Sequence, residues 1–374
     1  MPSAVVSIVS CREYEPDAVR AALRECLAPL GGMEHFVHPG MKVLLKPNLL
    51  TAADWEQGVT THPAIVRTVA ELVKAAGGEV WIGDSPALPI KENPRVWRKS
   101  GMSEVAEATD ARLLLFESVV WKQLNGNDYF IAKPVTEADL VIDLPKLKTH
   151  ASTLYTGAVK NLFGTVPGKR KTEMHLRAPG MPDFSRRLAD ILELVRPGLV
   201  IMDGVLGMEG NGPGTSGTPH SYNLLAASVD AVALDTVLSR AMGFRAGEVL
   251  HLAEAGKRNL GVDDLRSITV VGDRALLDFG PLVLPTASVF SRIPSWLSAP
   301  VSNQVKLRPE IDVTKCIGCG KCSTACPASV ITAGNPPTFN LSFCIGCMCC
   351  VEVCPEGALI PHRSLIAKLV GIGG

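Results

Sequence analysis

The sequence predicts an α/β domain with a mostly parallel sheet flanked by helices, followed by a small α+β domain rich in cysteine. From residue 4 to about residue 275, short apolar runs alternate with amphipathic segments, a pattern typical of helices packed on a parallel sheet. A proline-rich stretch follows, and nine of the eleven cysteines lie between Cys316 and Cys354. We therefore expect an α/β domain over 1–278, a linker over 279–307, a cysteine-rich domain over 308–362 and a tail over 363–374.

Six short, branched and apolar runs are predicted to be the buried strands of the sheet. They are AVVSIV (4–9), KVLLKP (42–47), EVWIGD (79–84), ADLVIDLP (138–145), GLVIMDG (198–204) and SITVVGD (267–273). Four segments between them have helical periodicity: Asp17–Cys26, Pro63–Ala76, Pro182–Val195 and Asp230–Met242.

The composition is that of a globular protein and excludes several classes of function. The chain has 374 residues, of which 47% are hydrophobic, and its 37 basic residues balance 37 acidic ones. That balance provides no basic footprint for nucleic acid and no general attraction to an anionic membrane. No apolar run reaches the ~18 residues of a membrane helix, and the N-terminus resembles a buried strand more than a signal peptide. We expect a cytoplasmic protein and leave a homo-oligomer open.

Two cysteine runs repeat the same spacing. Cys316-x2-Cys319-x2-Cys322-x3-Cys326 is followed by proline, and Cys344-x2-Cys347-x2-Cys350-x3-Cys354 repeats it 28 residues later. Glycines at 318 and 346 provide the backbone freedom that such tight loops require. A zinc site would explain the cysteine pairs, but not the third cysteine, the proline or the duplication. The runs therefore predict iron–sulfur clusters, and Cys349 fits no ligand position.

This pattern resembles that of the bacterial two-cluster ferredoxins over about residues 308–362. The resemblance implies two [4Fe-4S] clusters with crossed ligand sets and a role in transferring low-potential electrons. One cluster would be held by Cys316, Cys319, Cys322 and Cys354, and the other by Cys326, Cys344, Cys347 and Cys350. A redox partner protein is also implied.

Residues 144–175 carry most of the candidate chemistry of the α/β domain. Lys146, Lys148 and His150 follow a predicted strand, and Lys160 and His175 come later in the same stretch. Ligands of open α/β sheets bind at the carboxyl ends of the strands, and cationic groups there suit a carboxylate or a phosphate. Gly157, Gly164 and Gly168 allow the backbone to approach a ligand closely. The run Lys169–Lys171 is interpreted as solvent-facing.

Other polar residues lie where predicted strands end. Lys46, Asn48 and Asp84 follow the second and third strands, and Asn161 lies in the lysine-rich stretch. Asp84 and Asp203 are expected to pair with lysines, to act as acid or base groups, or to cap helices, and Asp230 is expected to be a helix cap. The glycine-rich segment 207–217 is interpreted as a lid or an anion-binding loop, and it matches no nucleotide-binding motif.

Five short motifs together resemble the family called domain of unknown function 362, over about residues 40–245. They are KPN (46–48), THP (61–63), GDSP (83–86), PKLKTH (145–150) and TGAVKNLFG (156–164). The family is often fused to a two-cluster ferredoxin, which implies a redox association without a substrate. A weaker similarity to the nickel-pincer lactate racemases involves His150, Lys160, Pro167-Gly168 and His175. It suggests that His150, Lys160 and His175 lie together, and we do not transfer the nickel cofactor.

These observations predict an anaerobic-type iron–sulfur oxidoreductase acting on an anionic small molecule. Lys148, His150, Lys160 and His175 are the candidate catalytic residues, and Lys46, Asn48, Asp84, Lys146 and Asn161 are the candidate substrate-binding residues. An additional organic cofactor is left open. The alternatives are a non-catalytic electron-transfer subunit and a cluster-handling scaffold, either of which would use the large domain to bind a partner.

Overall fold

The computed structural model describes residues 4–87, 92–178, 180–291 and 308–362. Its strands, in chain order, are β1 (Ala4–Ser10), β2 (Lys42–Pro47), β3 (Glu79–Gly83), β4 (Arg112–Leu114), β5 (Val119–Leu124), β6 (Asn127–Ala132), β7 (Leu140–Leu144), β8 (Lys146–His150), β9 (Leu154–Thr156), β10 (Leu199–Gly210), β11 (Gly217–Ser228), β12 (Ile268–Gly272), β13 (Arg308–Ile311), β14 (Ile331–Thr332), β15 (Thr338–Phe339) and β16 (Leu359–His362).

The main sheet has the order β12-β1-β11-β10-β7-β2-β3-β4, with β8 and β9 attached beside β10. Neighbours along this order are parallel except where β11 runs antiparallel to both β1 and β10. The mostly parallel sheet predicted from the sequence is therefore confirmed, and all six predicted strands are part of it.

The helices of the α/β domain are α1 (Pro16–Leu27), α2 (Met33–Phe36), α3 (Pro63–Ala75), α4 (Asn93–Lys99), α5 (Met102–Thr109), α6 (Lys133–Glu137), α7 (Ala158–Asn161), α8 (Lys169–Arg177), α9 (Met181–Val195), α10 (Ala231–Ala241), α11 (Leu250–Lys257) and α12 (Thr286–Ser291). The four predicted helices correspond to α1, α3, α9 and α10. Asp230 caps α10 as expected, because its side chain accepts hydrogen bonds from the N–H groups of Val232 and Ala233.

Alternating strand residues supply two hydrophobic cores, one on each face of the sheet. On β2, Val43 and Leu45 pack in one core while Leu44 packs in the other, as the two-residue repeat of a strand requires. The first core includes residues of α1, α3 and α5, and the second includes residues of α7, α9, α10 and α11. Helices therefore cover both faces, and the carboxyl ends of the parallel strands form the free edge where a ligand site is expected.

The predicted linker, residues 279–307, lies between the main sheet and the cysteine-rich module (308–362), and the structure describes its first part. From the predicted linker, Leu282 and Leu284 pack against the α/β core. Residues 292–307 and the predicted tail 363–374 lie outside the described residues. None of the helices in the described part of the chain has the length and apolar character needed to cross a bilayer.

The cysteine-rich module repeats its own backbone. Short helices α13 (Lys321–Ala325) and α14 (Cys349–Glu352) begin 28 residues apart, as the cysteine runs do. Gly318 and Gly346 both have positive φ, and so do Gly320 and Met348. Two small antiparallel sheets, β13–β16 and β14–β15, complete the module, in agreement with the predicted small α+β domain.

Candidate active site

Lys46, at the carboxyl end of β2, is paired with Asp84, which follows β3. The Lys46 Nζ lies 2.9 Å from Asp84 Oδ1, and Leu49 N–H donates to Asp84 Oδ2 at 2.9 Å. Gly164 lies so close to this pair that a Cβ on it would be 1.9 Å from Asp84 Oδ1. Glycine is therefore needed there to accommodate the ion pair.

Lys146 belongs to a second buried pair. Its Nζ donates to Asp203 Oδ2 at 2.6 Å and to the Tyr14 hydroxyl at 3.0 Å. Asp203 also accepts from the hydroxyl of Tyr14 and from the N–H of His62, both at 2.9 Å. Lys146 and Asp203 are completely buried, so the structure places Lys146 in this pair, and its predicted contact with a substrate stays a prediction. The pairing of Asp84 and Asp203 with lysines agrees with the sequence.

Lys148 begins a hydrogen-bonded series of side chains. Its Nζ donates to Asn48 Oδ1 at 2.6 Å and to the carbonyl of Val59 at 2.7 Å. The Asn48 amide then donates to Asn161 Oδ1 at 2.9 Å, and the Asn161 amide donates to Asp143 Oδ1 at 2.7 Å. This series fixes the orientation of both amides. Burial lowers the pKa of Lys148 well below that of a free lysine.

These groups surround a cavity of about 340 Å³ that lies between the α/β domain and the cysteine-rich module. The α/β domain contributes six of the predicted site residues, and the module contributes Cys319, Lys321, Cys349, Glu352 and Val353 to the opposite wall. The predicted residues that line the cavity are Asn48, Asp84, Lys148, Lys160, Asn161 and, on α8, His175. Lys46, Lys146 and His150 do not line it.

His150 is held against the cysteine-rich module. Its Nε2 lies 3.1 Å from Glu352 Oε1, and its Nδ1 accepts from the N–H of Ser152 at 3.1 Å. Burial lowers the pKa of His150 to about 4. Burial acts to raise the pKa of Glu352, but the combined effect of His150, Lys160 and His175 lowers it to about 2. Glu352 lines the cavity. The structure therefore places His150 behind Glu352 rather than at the cavity wall, and its catalytic role stays a prediction.

Lys160 and His175 approach the cavity from α7 and α8. The His175 ring stacks on Phe184 with centroids 4.3 Å apart and meets Phe163 edge to face. Burial lowers the pKa of His175 to about 4 and also lowers the pKa of Lys160, while the carboxylate of Glu352 opposes both shifts. His175 is thus neutral near pH 7, and Lys160 is the more basic group of the two.

The lysine run at the start of α8 divides between solvent and cavity. Lys169 is exposed, as predicted. Lys171, which the sequence placed in solvent, instead turns inward, donates to the carbonyl of Ser85 and lies 5.7 Å from the Phe163 ring centroid. Burial lowers its pKa to about 8. The solvent-facing interpretation is therefore wrong for Lys171, and the cavity gains a further amine.

The eight cysteines of the two motifs line two separate cavities of the module. Cys316, Cys319, Cys322 and Cys354 surround one, and Cys326, Cys344, Cys347 and Cys350 surround the other. Within the described ranges no group of three or more His, Cys, Asp or Glu residues is arranged to hold a single metal ion. Four thiols spread around each cavity are the donor set that a [4Fe-4S] cluster takes, so the residues present fit such a group.

The glycine-rich segment 207–217 contacts the cysteine-rich module. It spans the end of β10 and the turn into β11, where Thr215 Oγ1 donates to the carbonyl of Cys354 at 2.8 Å and Ser216 Oγ donates to that of Leu359 at 3.0 Å. Pro213 also lines the large cavity. The segment thus binds the cysteine-rich module, a role that the interpretation as a lid or anion-binding loop did not include.

Several residues of the cavity were not selected from the sequence. Glu352 lies inside the second cysteine motif, and the sequence does not mark it as a site residue, because its partner His150 is far away in the chain. Cys349 fits no ligand position in the cysteine motifs, and the structure shows that it lines the cavity. Thr156 belongs to the motif TGAVKNLFG, but the sequence assigns it no role. It lies directly opposite Lys148 in the β8–β9 pair, and this register cannot be predicted from periodicity alone.

Comparison with known proteins gives two matches within the chain. Residues 43–240 match the family described as Domain of unknown function (DUF362), and residues 308–355 match a 4Fe-4S dicluster domain. The chain is 41% identical over 239 residues to Thylakoid-associated protein sll1697 from Synechocystis sp., covering 63% of this chain and 73% of that protein. Both resemblances drawn from the motifs, to this family and to the ferredoxins, are confirmed.

Two solved structures resemble the fold at 13% identity. They are the lactate racemase apoprotein from Thermoanaerobacterium thermosaccharolyticum, with a TM-score of 0.38 over 63% of this chain and 58% of that chain, and a protein from Thermotoga maritima, with a TM-score of 0.36 over 59% and 57%. The chain spans less than three fifths of either structure. At these TM-scores the likeness carries no functional argument, and a shared cluster of His150, Lys160 and His175 with the racemases stays a prediction.

Proposed function

The chain belongs to the DUF362 family and ends in a 4Fe-4S ferredoxin-type domain, and on this basis we propose that it is an iron–sulfur oxidoreductase. It moves electrons between two [4Fe-4S] clusters in the cysteine-rich module and an anionic small molecule in the large cavity. The observation that carries the proposal is the composition of the cavity walls. Lys148, Lys160 and Lys171 lie on one side, and Cys319 and Cys349 lie on the other.

Two crossed ligand sets would hold the clusters. Cys354 joins the cysteines of the first motif, and Cys326 joins those of the second, as their grouping around separate cavities supports. A bound [4Fe-4S] cluster supplies or accepts one electron at a time. Cys319 belongs to the first set and also lines the large cavity, so a ligand in that cavity would lie next to a cluster-bearing thiolate.

The residues of the α/β domain bind and orient the anion. Five lysines line the cavity against three carboxylates, and one of these, Asp84, is already paired with Lys46. The excess of positive charge favours an anion. Asn48 and Asn161 are held in fixed orientations by their neighbours, so they are positioned to donate or accept without reorganisation.

The cavity also bears on the rival interpretation, a non-catalytic electron-transfer subunit. A subunit that only passes electrons to a partner has no use for a large basic cavity beside its clusters. Such a cavity, together with several lysines of depressed pKa, is instead typical of a substrate site. The enzyme interpretation is therefore the better supported of the two.

The experiment that tests this function begins with anaerobic purification of the full chain and analysis of iron, sulfide and organic cofactors in one sample. The protein is then reduced with dithionite and mixed with a panel of small carboxylates and organic phosphates. Oxidation of the clusters by at least one member of the panel, followed by absorbance, is expected. If no member binds or oxidises the clusters, while a ferredoxin does accept their electrons, the electron-transfer subunit becomes the better description.

Location and partners belong to the same proposal. The name of the curated relative associates that protein with thylakoids. For this chain we propose a cytoplasmic location, a redox partner protein that exchanges electrons with the clusters, and function under anaerobic conditions. Cell fractionation under anaerobic conditions, with detection of the native chain, tests the location.

A further inference from the structure

We propose that Lys148, Thr156 and Lys160 form an anchor for one carboxylate group, and that the ligand is an organic monocarboxylate with an apolar body. This inference rests on the proposed function and narrows its substrate class. Nothing in the family description assigns a ligand or a role to Thr156.

The hydroxyl of Thr156 is the first observation. Thr156 is only 3% exposed and lines the cavity, and its Oγ1 has no hydrogen-bond partner among the described residues. Buried hydroxyls in folded proteins almost always have a partner. A ligand oxygen in the cavity would satisfy this one.

The amine of Lys160 is the second observation. Other buried amines near the cavity are already bonded: Lys46 to Asp84, Lys148 to Asn48 and Lys171 to Ser85. Lys160 makes no hydrogen bond or ion pair within the part of the chain that the structure describes, although it lines the cavity. Its charge is therefore available to a bound anion.

Lys148 completes the anchor. An ammonium group has three N–H donors, and Lys148 uses two of them, toward Asn48 Oδ1 and the Val59 carbonyl. Thr156 lies directly opposite Lys148 in the antiparallel β8–β9 pair, which places their Cβ atoms ~5 Å apart on one face. Lys160 lies four residues after Thr156, in α7, and its charge acts on Lys148. Three donors from consecutive elements thus line the same cavity.

The remaining walls select a monocarboxylate over a phosphate. Leu49, Pro86, Phe163 and Val353 provide apolar surface against which a hydrocarbon body would pack. Glu352 also lines the cavity, and its carboxylate would repel a second negative charge on the ligand. A phosphate dianion has that second charge and no apolar body. A cavity of about 340 Å³ has room for a small organic acid.

The test measures binding of benzoate, acetate and inorganic phosphate to the anaerobic full chain by titration calorimetry. We expect benzoate to bind more tightly than acetate, and phosphate to bind least. Thr156→Val, which keeps the side-chain shape, should weaken benzoate binding about tenfold, on the scale of a hydrogen bond to a charged group. Thr156→Ser should restore most of it, and Lys160→Met should weaken it at least as much. Thr136→Val, at an exposed helix position, is the matched control.

Two outcomes would overturn the anchor. One is unchanged benzoate binding in a folded Thr156→Val variant, which would mean that an ordered water alone satisfies the hydroxyl. The other is phosphate binding as tightly as benzoate. If carboxylates oxidise the reduced clusters with either result, the oxidoreductase proposal stands and only the anchor fails. If nothing binds or oxidises the clusters, the proposed function fails as well.

Discussion

His150 Nε2 lies 3.1 Å from Glu352 Oε1, which joins the end of β8 to the helix α14 of the cysteine-rich module. The N–H of Ser152 donates to His150 Nδ1, so a neutral imidazole carries its proton on Nε2, facing the carboxylate. The low pKa of His150, about 4, which is caused mainly by burial, keeps it neutral near pH 7. A neutral histidine thus lies in close contact with an ionised glutamate at the boundary between the two parts.

Replacing His150 with alanine should loosen the cysteine-rich module without removing its clusters. The change removes the close contact between His150 and Glu352 and leaves this buried carboxylate without its neighbour, which is destabilising. We expect faster hydrogen exchange over 349–359 and unchanged iron content. His38→Ala, at an exposed position, is the control. Unchanged exchange in the His150 variant would show that Thr215 and Ser216 hold the module by themselves.

Lys146→Met should destabilise the α/β domain by ~3–5 kcal/mol, because it leaves Asp203 buried without a counter-charge. Urea unfolding measures this change. The folded variant should still bind benzoate with affinity close to that of the wild type, since Lys146 does not line the cavity. Lys122→Met, on the exposed face of β5, should leave both stability and binding unchanged. Loss of binding in folded Lys146→Met protein would restore Lys146 as a ligand-contacting residue.

Anion binding should weaken as pH rises through about 8. Burial lowers the pKa of Lys171 to about 8 from its ordinary 10.5, against the opposing effect of Asp84, so the amine is charged below pH 8 and neutral above it. Lys46, Lys160 and Glu352 also act on this amine. Between pH 8 and 10.5, Lys171 binds a proton more tightly in the unfolded chain than in the folded one. The free energy of unfolding therefore rises with pH across that window through this group.

Calorimetric titration of benzoate from pH 6.5 to 9.5 measures the binding effect. In Lys171→Met the step near pH 8 should disappear, while the affinity at high pH should approach that of the wild type. A step that persists unchanged in this variant would assign the titration to another lysine of the cavity.

Anaerobic protein should contain about eight iron and eight sulfide per chain, as two cubanes require. Cys354→Ser should damage the cluster that is otherwise held by the first motif, and electron paramagnetic resonance of the reduced protein should lose one of two interacting signals. Cys349→Ser is the matched control, because Cys349 lines the large cavity rather than either cluster cavity. Zinc in place of iron would contradict the cluster assignment.

A chain shortened to residues 1–307 should fold into a colourless α/β domain, because both hydrophobic cores consist almost entirely of residues before 270. Val353 is the exception, and its loss should lower the melting temperature. The fragment should not bind benzoate, since one wall of the cavity is absent. A fragment that is insoluble while the full chain is stable would show that the module is part of the core.

Local patterns predicted six strands of the main sheet, the main helices and the cysteine grouping, because each depends on neighbours in sequence. The strand β11 escaped prediction: its run from Gly217 to Ser228 alternates weakly, and its antiparallel pairing with β10 depends on a partner that the sequence does not reveal. The separation of Lys46 and Lys146 from the cavity also escaped prediction. Each of these lysines is neutralised by an aspartate distant in the chain, Asp84 or Asp203, and spacing does not reveal which lysines have such partners.

The cavity has one wall from the α/β domain and one from the cysteine-rich module, so ligand binding should depend on whether iron is bound. Small metal-binding modules commonly fold only when their metal is bound, and here such a module supplies Glu352 and Val353 to the wall. A newly made chain without iron would therefore lack one wall of the site, although its α/β domain was complete. Such a chain should not retain a ligand in the cavity until its clusters are in place.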